Sequence, residues 1–244
     1  MKSALPSLVF FVVMLKMAAV SFAQYVETMD ERSPLKDLRK DYGLADDGGK
    51  ANQSDVFQRA IDEMAAQGGG RIFVPRGTYL ISGVWLRSNV HIRVEAGTVI
   101  RPYWPGGNKV SVFLMDAKPR GRKPTPEEER AFIENVSIRG VGGRFVVDYS
   151  DRPMEQGYSA VACRMVRNFL IADMDILDNF TPHCGIYLVP TNSSTKDVSQ
   201  WPVSRPTRGT IRNCRIFNAS PGYGLVQLHG ASPFCSRIFT PKAA

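Results

Sequence analysis

This chain has no CxxC pair, although it carries four cysteines, Cys163, Cys184, Cys214 and Cys235. That spacing excludes the usual structural zinc sites. An even count in an oxidising compartment permits disulfides. Cys163, Cys184 and Cys214 lie in apolar strand patterns, which favours buried free thiols. Past residue 23 no segment is long and apolar enough to cross a bilayer. Dense acidic clusters are also missing. Glu127-Glu128-Glu129 stands alone in a Pro-rich stretch and reads as a solvated loop rather than a calcium site. No Asp or Glu follows Asp197. Basic residues are dispersed and form no nucleic-acid reading motif. These absences predict no metal centre, no cofactor (structural ions stay open), no nucleic-acid partner, and no membrane partner once any leader is removed.

A leader is present. Lys2 is followed by an apolar stretch from Leu5 to Val20, and Ser21-Phe22-Ala23 places small residues at the two positions a signal peptidase reads. Cleavage is expected before Gln24, with secretion or periplasmic export as the consequence. Lys16 interrupts the run and leaves it short for a membrane anchor, the competing interpretation. Without Lys2 and Lys16, 29 basic residues face 23 acidic ones, a charge of +6 against +8 for the whole chain. A basic exported protein points to an anionic partner, here an anionic polysaccharide. A hydrophobic fraction of 43% supports a sizeable core.

Residues 24–40 read as a polar lead-in, and Asp46-Asp47-Gly48-Gly49 as a turn. A helix is predicted over 52–67. Phe57, Ala60, Ile61, Met64 and Ala65 share one face, Asn52 or Ser54 caps the start, and Gly68-Gly69-Gly70 ends it. From residue 71 the pattern changes to short strands behind Asn corners: Asn89-Val90-His91-Ile92, Asn135-Val136-Ser137-Ile138 and Asn168-Phe169-Leu170-Ile171. MDILDNFTPHCGIYL from Met174 repeats as CRIFNASPGYGLVQL from Cys214. Ile176 matches Ile216. One residue is then taken as lost, so that Gly185 matches Gly224 and Leu188 matches Gln227. Short strands with polar corners predict a solenoid over 41–244. Polar, Pro-containing loops at 117–130 and 190–208 form candidate groove walls. An amphipathic helix over the first turn would cover its exposed strand edge.

The order D-Y-G, D-D-G, amphipathic helix, G-G-G, I-F-V-P-x-G-T-Y and L-x-S-N-V over residues 41–90 resembles the start of pectin-lyase-like right-handed parallel β-helix proteins. These include polygalacturonases, pectate-lyase-like proteins and carrageenases. The resemblance implies an all-β, right-handed parallel β-helix with an N-terminal capping helix. Asn218 to Gln227, NASPGYGLVQ, is similar to a segment of iota-carrageenase-type glycoside hydrolases. That likeness implies a Gln that helps to hold the attacking water, with acid and base carboxylates about one coil further on. No such carboxylates follow here, and the C-terminal end is expected to be incomplete, the chain being a fragment of a longer hydrolase. The Asn-Thr-Asp, Gly-His-Gly and Arg-Ile-Lys signatures of polygalacturonases are absent, and Asp46-Asp47 falls in the entry turn. A non-catalytic module that binds anionic glycans and a pectin-directed hydrolase or lyase remain as alternatives.

Strand alternation places Gln227 and His229 on one face and Val226 and Leu228 on the core face. Gln227 and His229 are therefore the candidate auxiliary catalytic residues. Candidate substrate-binding residues are Tyr223, Tyr187, His183, Trp201, Arg205, Arg212 and Arg215, because aromatic rings stack on sugars and guanidinium forks pair with sulfate. Asp173, Asp175 and Asp178 are weaker candidates, more simply read as a solvated strand face with a corner Asp.

Overall fold

The computed structural model describes residues 24–107, 109–118, 122–123, 125–128, 131–190, 205–230 and 234–237, with backbone only for the last four. Residues 1–23, read above as a leader, and Trp201 lie outside this set.

The chain enters through β1 (Leu35–Asp37) and a short helix, α1 (Leu38–Tyr42). Asp37 caps α1 by accepting from the Arg39 and Lys40 amides, and Gly43 ends it at φ 72°. The amphipathic segment forms α2 (Ser54–Ala66). The residue at its N-cap is Gln53, which makes no capping bond; its amide clasps the Ala45 backbone instead. Asn52 accepts from the Ser54 amide. Phe57, Ala60, Ile61 and Met64 are buried against the first coil, with Phe57 edge-on to Tyr79 at 6.4 Å.

Coils follow in sequence. The first is β2 (Gly70–Val74), β3 (Thr78–Ile81) and β4 (Val84–Trp85); the second is β5 (Val90–Glu95), β6 (Val99–Pro102) and β7 (Lys109–Met115). The third is β8 (Ile133–Val141), β9 (Phe145–Asp148) and β10 (Gly157–Cys163); the fourth is β11 (Val166–Ala172), β12 (Met174–Leu177) and β13 (Ile186–Leu188). The fifth is β14 (Thr207–Arg212), β15 (Arg215–Phe217) and β16 (Val226–Leu228), after which β17 (Phe234–Arg237) rejoins the first sheet. Equivalent strands of successive coils pair in parallel. The first sheet is β1-β2-β5-β8-β11-β14-β17, the second β3-β6-β9-β12-β15, and the third β4-β7-β10-β13-β16. This is a right-handed parallel β-helix, with α2 laid over its first turn.

Like residues stack on like in its core. Ile72, Ile92, Ile138, Ile171 and Ile211 form one inward column of the first sheet. Val84, Phe113, Val161, Ile186 and Val226 form another from the third. Each fully buried Ile contributes roughly 1.5–3 kcal/mol. Corners carry the left-handed residues that the Asn pattern announced: Asn89, Asn135 and Asn168 have φ of 61°, 57° and 52°. Their amides form a ladder, Asn135 donating to Asn89 at 3.0 Å and Asn168 to Asn135 at 2.8 Å. Arg208 takes the same corner one coil later at φ 55°.

Between the first and second sheets the fourth coil turns at Asp173 alone and the fifth at Asn213 and Cys214, and Asn213 donates to Asp173 at 2.6 Å. The third sheet is different. Connections 149–156, 178–185 and 218–225 enter it from the second sheet along one edge. The outer face of this sheet carries a groove, marked by a cavity over β4 and β7.

One expectation is corrected by the register. Ile186, Tyr187 and Leu188 pair with Val226, Gln227 and Leu228, so the repeat keeps an offset of 40 throughout and loses no residue. Leu188 therefore opposes Leu228. A one-residue slip would have turned every side chain of the strand to its opposite face. Cys163, Cys184 and Cys214 are buried and free.

Candidate functional site

The outer face of the third sheet presents a column of register partners: Trp85, Leu114, Ala162, Tyr187 and Gln227. With the 40-residue offset, His183 and Tyr223 are also equivalent positions on the connections leading into β13 and β16. His183 stacks on Tyr187, with ring centres 5.5 Å apart and planes 14° apart, and Tyr223 tilts against His183 at 6.4 Å. Lys109 Nζ sits 3.9 Å from the centre of the Tyr187 ring. The Tyr187 hydroxyl is 3.3 Å from Ser111 Oγ. The Cys184 thiol donates to Gln227 Oε1 at 3.5 Å, which leaves the Gln227 amide NH₂ for a ligand. His229 follows at the exposed end of β16, its amide donating to the Leu188 carbonyl at 2.8 Å.

Lys109 and Ser111 belong equally to a cavity of about 310 Å³ further along the same face, lined by Ser82, Trp85, Tyr103 and Leu114 among others. Aromatic, cationic and hydroxyl groups thus run from Trp85 to Gln227. Burial, then the charges of Lys109 and His229, push the His183 pKa down to about 4. Its ring is neutral at pH 7 and serves for stacking and hydrogen bonding. Burial raises the Cys184 thiol, so this cysteine is no nucleophile at neutral pH.

Of the sequence candidates, His183, Tyr187, Tyr223, Gln227 and His229 come together. Arg205 stands at the rim beside Pro190 and Gly230. Arg212 and Arg215 do not join them. Arg212 projects from the first sheet, and Arg215 belongs to the second, where its guanidinium grips Asp175 through Nε at 2.7 Å and a second, shorter bond. The corner at Asn213 and the turn after Phe217 carry the chain to a new face each time. Asp173 is a corner residue bonded to Asn213. Asp178 is buried and accepts from the Asn179 amide and the Thr181 hydroxyl, so both stabilise turns. Lys109, Ser111, Trp85 and Tyr103 were not singled out by sequence. The signal available was a Lys and a Ser at alternate positions of the otherwise apolar KVSVFLM. Among the described residues no cluster of His, Cys, Asp and Glu could hold a metal ion. Neither the register column from Trp85 to Gln227 nor the lining of the cavity beside it has a carboxyl group; Asp151, Glu155 and Asp178 lie on the connections at its edge.

A three-sheeted parallel coil grooved along one sheet defines a pectate-lyase-like β-helix protein. More narrowly, the chain belongs to the rhamnogalacturonase A/epimerase, pectate lyase-like family, which residues 39–199 match. It is 32% identical over 197 residues to an iota-carrageenase of Alteromonas macleodii, covering 80% of this chain and 36% of that protein. An iota-carrageenase of Zobellia galactanivorans is 32% identical over 200 residues, covering 82% of this chain and 37% of that one. The solved structure of an iota-carrageenase complexed to iota-carrageenan fragments superposes with a TM-score of 0.70 at 29% identity, over 87% of this chain and 42% of the other. The chain therefore spans little more than a third of the length of the curated relatives it matches.

Proposed function

We propose that this chain binds a sulfated galactan of the carrageenan type along the third sheet, as part of an exported glycoside hydrolase that degrades that polysaccharide. The observation that carries this reading is the His183–Tyr187–Tyr223 cluster, in which Tyr187 is buried beneath the His183 ring and Lys109 at 3.9 Å and is continued in register by Gln227. Aromatic faces take the apolar face of a pyranose ring, and a cation beside them pairs with a sulfate ester. His183 and Tyr223 serve as sugar platforms, seated on the buried Tyr187, and Lys109 and Arg205 as sulfate partners. Gln227, through its amide NH₂, and His229 hold a water or a sugar hydroxyl. The similarity to iota-carrageenases supports the choice of glycan. The leader-like sequence of residues 1–23 supports export.

Hydrolysis of a glycosidic bond by either stereochemical route uses two carboxyl groups flanking it. In this reading the described groove supplies binding and positioning, and the acid and base come from beyond the described residues. The lack of a carboxyl group in the register column from Trp85 to Gln227 favours a second reading, a module that binds the glycan without turning it over.

Calorimetric titration with iota-carrageenan oligosaccharides and with neutral agarose oligosaccharides tests the proposal. Salt-sensitive binding of the sulfated sugar alone is expected, weakened about tenfold or more by Tyr223→Ala at the exposed ring. Equal binding of both sugars, or of neither, overturns it. Release of reducing ends selects the hydrolase, and retention without release selects the binding module.

A further inference from the structure

A second constellation lies on the first sheet, away from the groove. Arg93 pairs in register with Arg139, Arg139 with Ala172, and Ala172 with Arg212. Arg71 and His91 sit in the neighbouring outward column. Strands in a sheet are about 4.8 Å apart, so Arg93 and Arg139 present two like charges side by side, which destabilises a sheet unless a counter-charge is near. The counter-charge present is incomplete. Residues 24–31 cross this face. Val26 is bonded through its amide and carbonyl to Asn168, and the Tyr25 amide donates to Thr210 Oγ1 at 2.9 Å. Glu27 reaches Arg139 at 3.1 Å. Arg71 is held by the Glu31 and Ser33 carbonyls. Arg93 and Arg212 have no ion pair among the described residues, and Arg93 Nε, Arg71 Nε and His91 Nε2 are buried without a hydrogen-bond partner.

Between these groups is a cavity of about 420 Å³, lined by Tyr25, Glu27, Arg93, Arg139, Thr210 and Arg212 among others. Ala172, fully buried, is the short step between Arg139 and Arg212, and Leu170 and Thr210 of the neighbouring column line the cavity with them. We propose that this pocket is a second anion site, built for a sulfate group and walled by the Gln24–Glu31 segment. Its ligand is a tetrahedral sulfur oxyanion, either free sulfate with two charges or a singly charged sulfate ester on a sugar chain. Guanidinium forks from neighbouring strands match such an anion with paired N–H donors. The Glu27 carboxylate already occupies one end, on Arg139, and competes with the ligand.

The test is sulfate titration of the full chain at constant ionic strength, with chloride as the balancing anion. Saturable binding is expected, about tenfold weaker in both Arg93→Gln and Arg212→Gln, and several-fold tighter in Glu27→Gln. Arg212 is exposed, so Arg212→Gln keeps the test decisive even if the Arg93 variant does not fold. Displacement of sulfate by a sulfated oligosaccharide identifies the natural group as an ester; failure to displace it identifies the free ion. Sulfate acting no differently from chloride, or binding unchanged in Arg212→Gln, overturns the proposal.

Discussion

Asn168 joins two parts of the molecule that are far apart in sequence, and its replacement by alanine tests the logic of the corners. Its side chain accepts from the Val26 amide at 2.8 Å, donates to the Val26 carbonyl at 2.9 Å and donates to Asn135 Oδ1 at 2.8 Å. The residue is buried and holds φ at 52°. Three hydrogen bonds at about 1 kcal/mol each, plus about 1 kcal/mol for alanine in the left-handed region, give a loss near 4 kcal/mol. For a domain of this size that lowers Tm by roughly 10 °C. Thermal and guanidinium unfolding of the wild type and Asn168→Ala measures it. Starting the chain at Glu27 removes the two Val26 bonds, so the same substitution there should cost only about 2 kcal/mol, a coupling of about 2 kcal/mol. A wild-type melting temperature for Asn168→Ala, or additivity of the two changes, would refute the reasoning.

Further outcomes follow from the same geometry. Arg208 is a long side chain at a left-handed corner, so Arg208→Asn should stabilise the fold by about 1 kcal/mol in guanidinium unfolding. A Cβ on Gly209 would come within 2.0 Å of the Phe169 ring, and Gly209→Ala should cost about 3 kcal/mol or prevent folding, read by circular dichroism. Burial, only partly offset by Glu27 and reinforced by Arg139 and Arg93, pushes the His91 pKa down to about 4 from the ordinary 6.5. Below pH 6.5 the unfolded chain therefore binds a proton that the folded chain refuses. Stability should fall from pH 6.5 to pH 4, by on the order of 3 kcal/mol for this residue. His183 shifts in the same direction, so His91→Gln should remove part of the slope and leave the rest.

The coil was readable in the sequence because its rules are local. Asn corners, apolar alternation and the Gly-Gly-Gly stop each act within a few residues, and they mark β5, β8, β11 and the helix α2. Arg208 escaped because nothing about an arginine announces a left-handed corner. The repeat offset was misjudged where Gly185 and Gly224 drew the comparison one residue out of step; the strand register seats Gly185 beside Leu225 instead. Site residues were legible where they lay on one repeat, as with Tyr187, His183, Tyr223 and Gln227. Arg212 and Arg215 are near them in sequence and yet face other sheets, since each corner rotates the chain to a new side. Lys109 and Trp85 come from earlier coils and reach the groove only by stacking. The bonds of Tyr25 to Thr210 and of Val26 to Asn168 span 185 and 142 residues, a distance at which no periodicity speaks.

Hydrogen–deuterium exchange with a sulfated galactan oligosaccharide tests most directly where the sugar lies. Residues 109–114, 183–188 and 223–229 should slow on binding, while 145–148 and 174–177 on the second sheet stay unchanged. Protection of the second sheet with none over 183–188 and 223–229 would contradict the account.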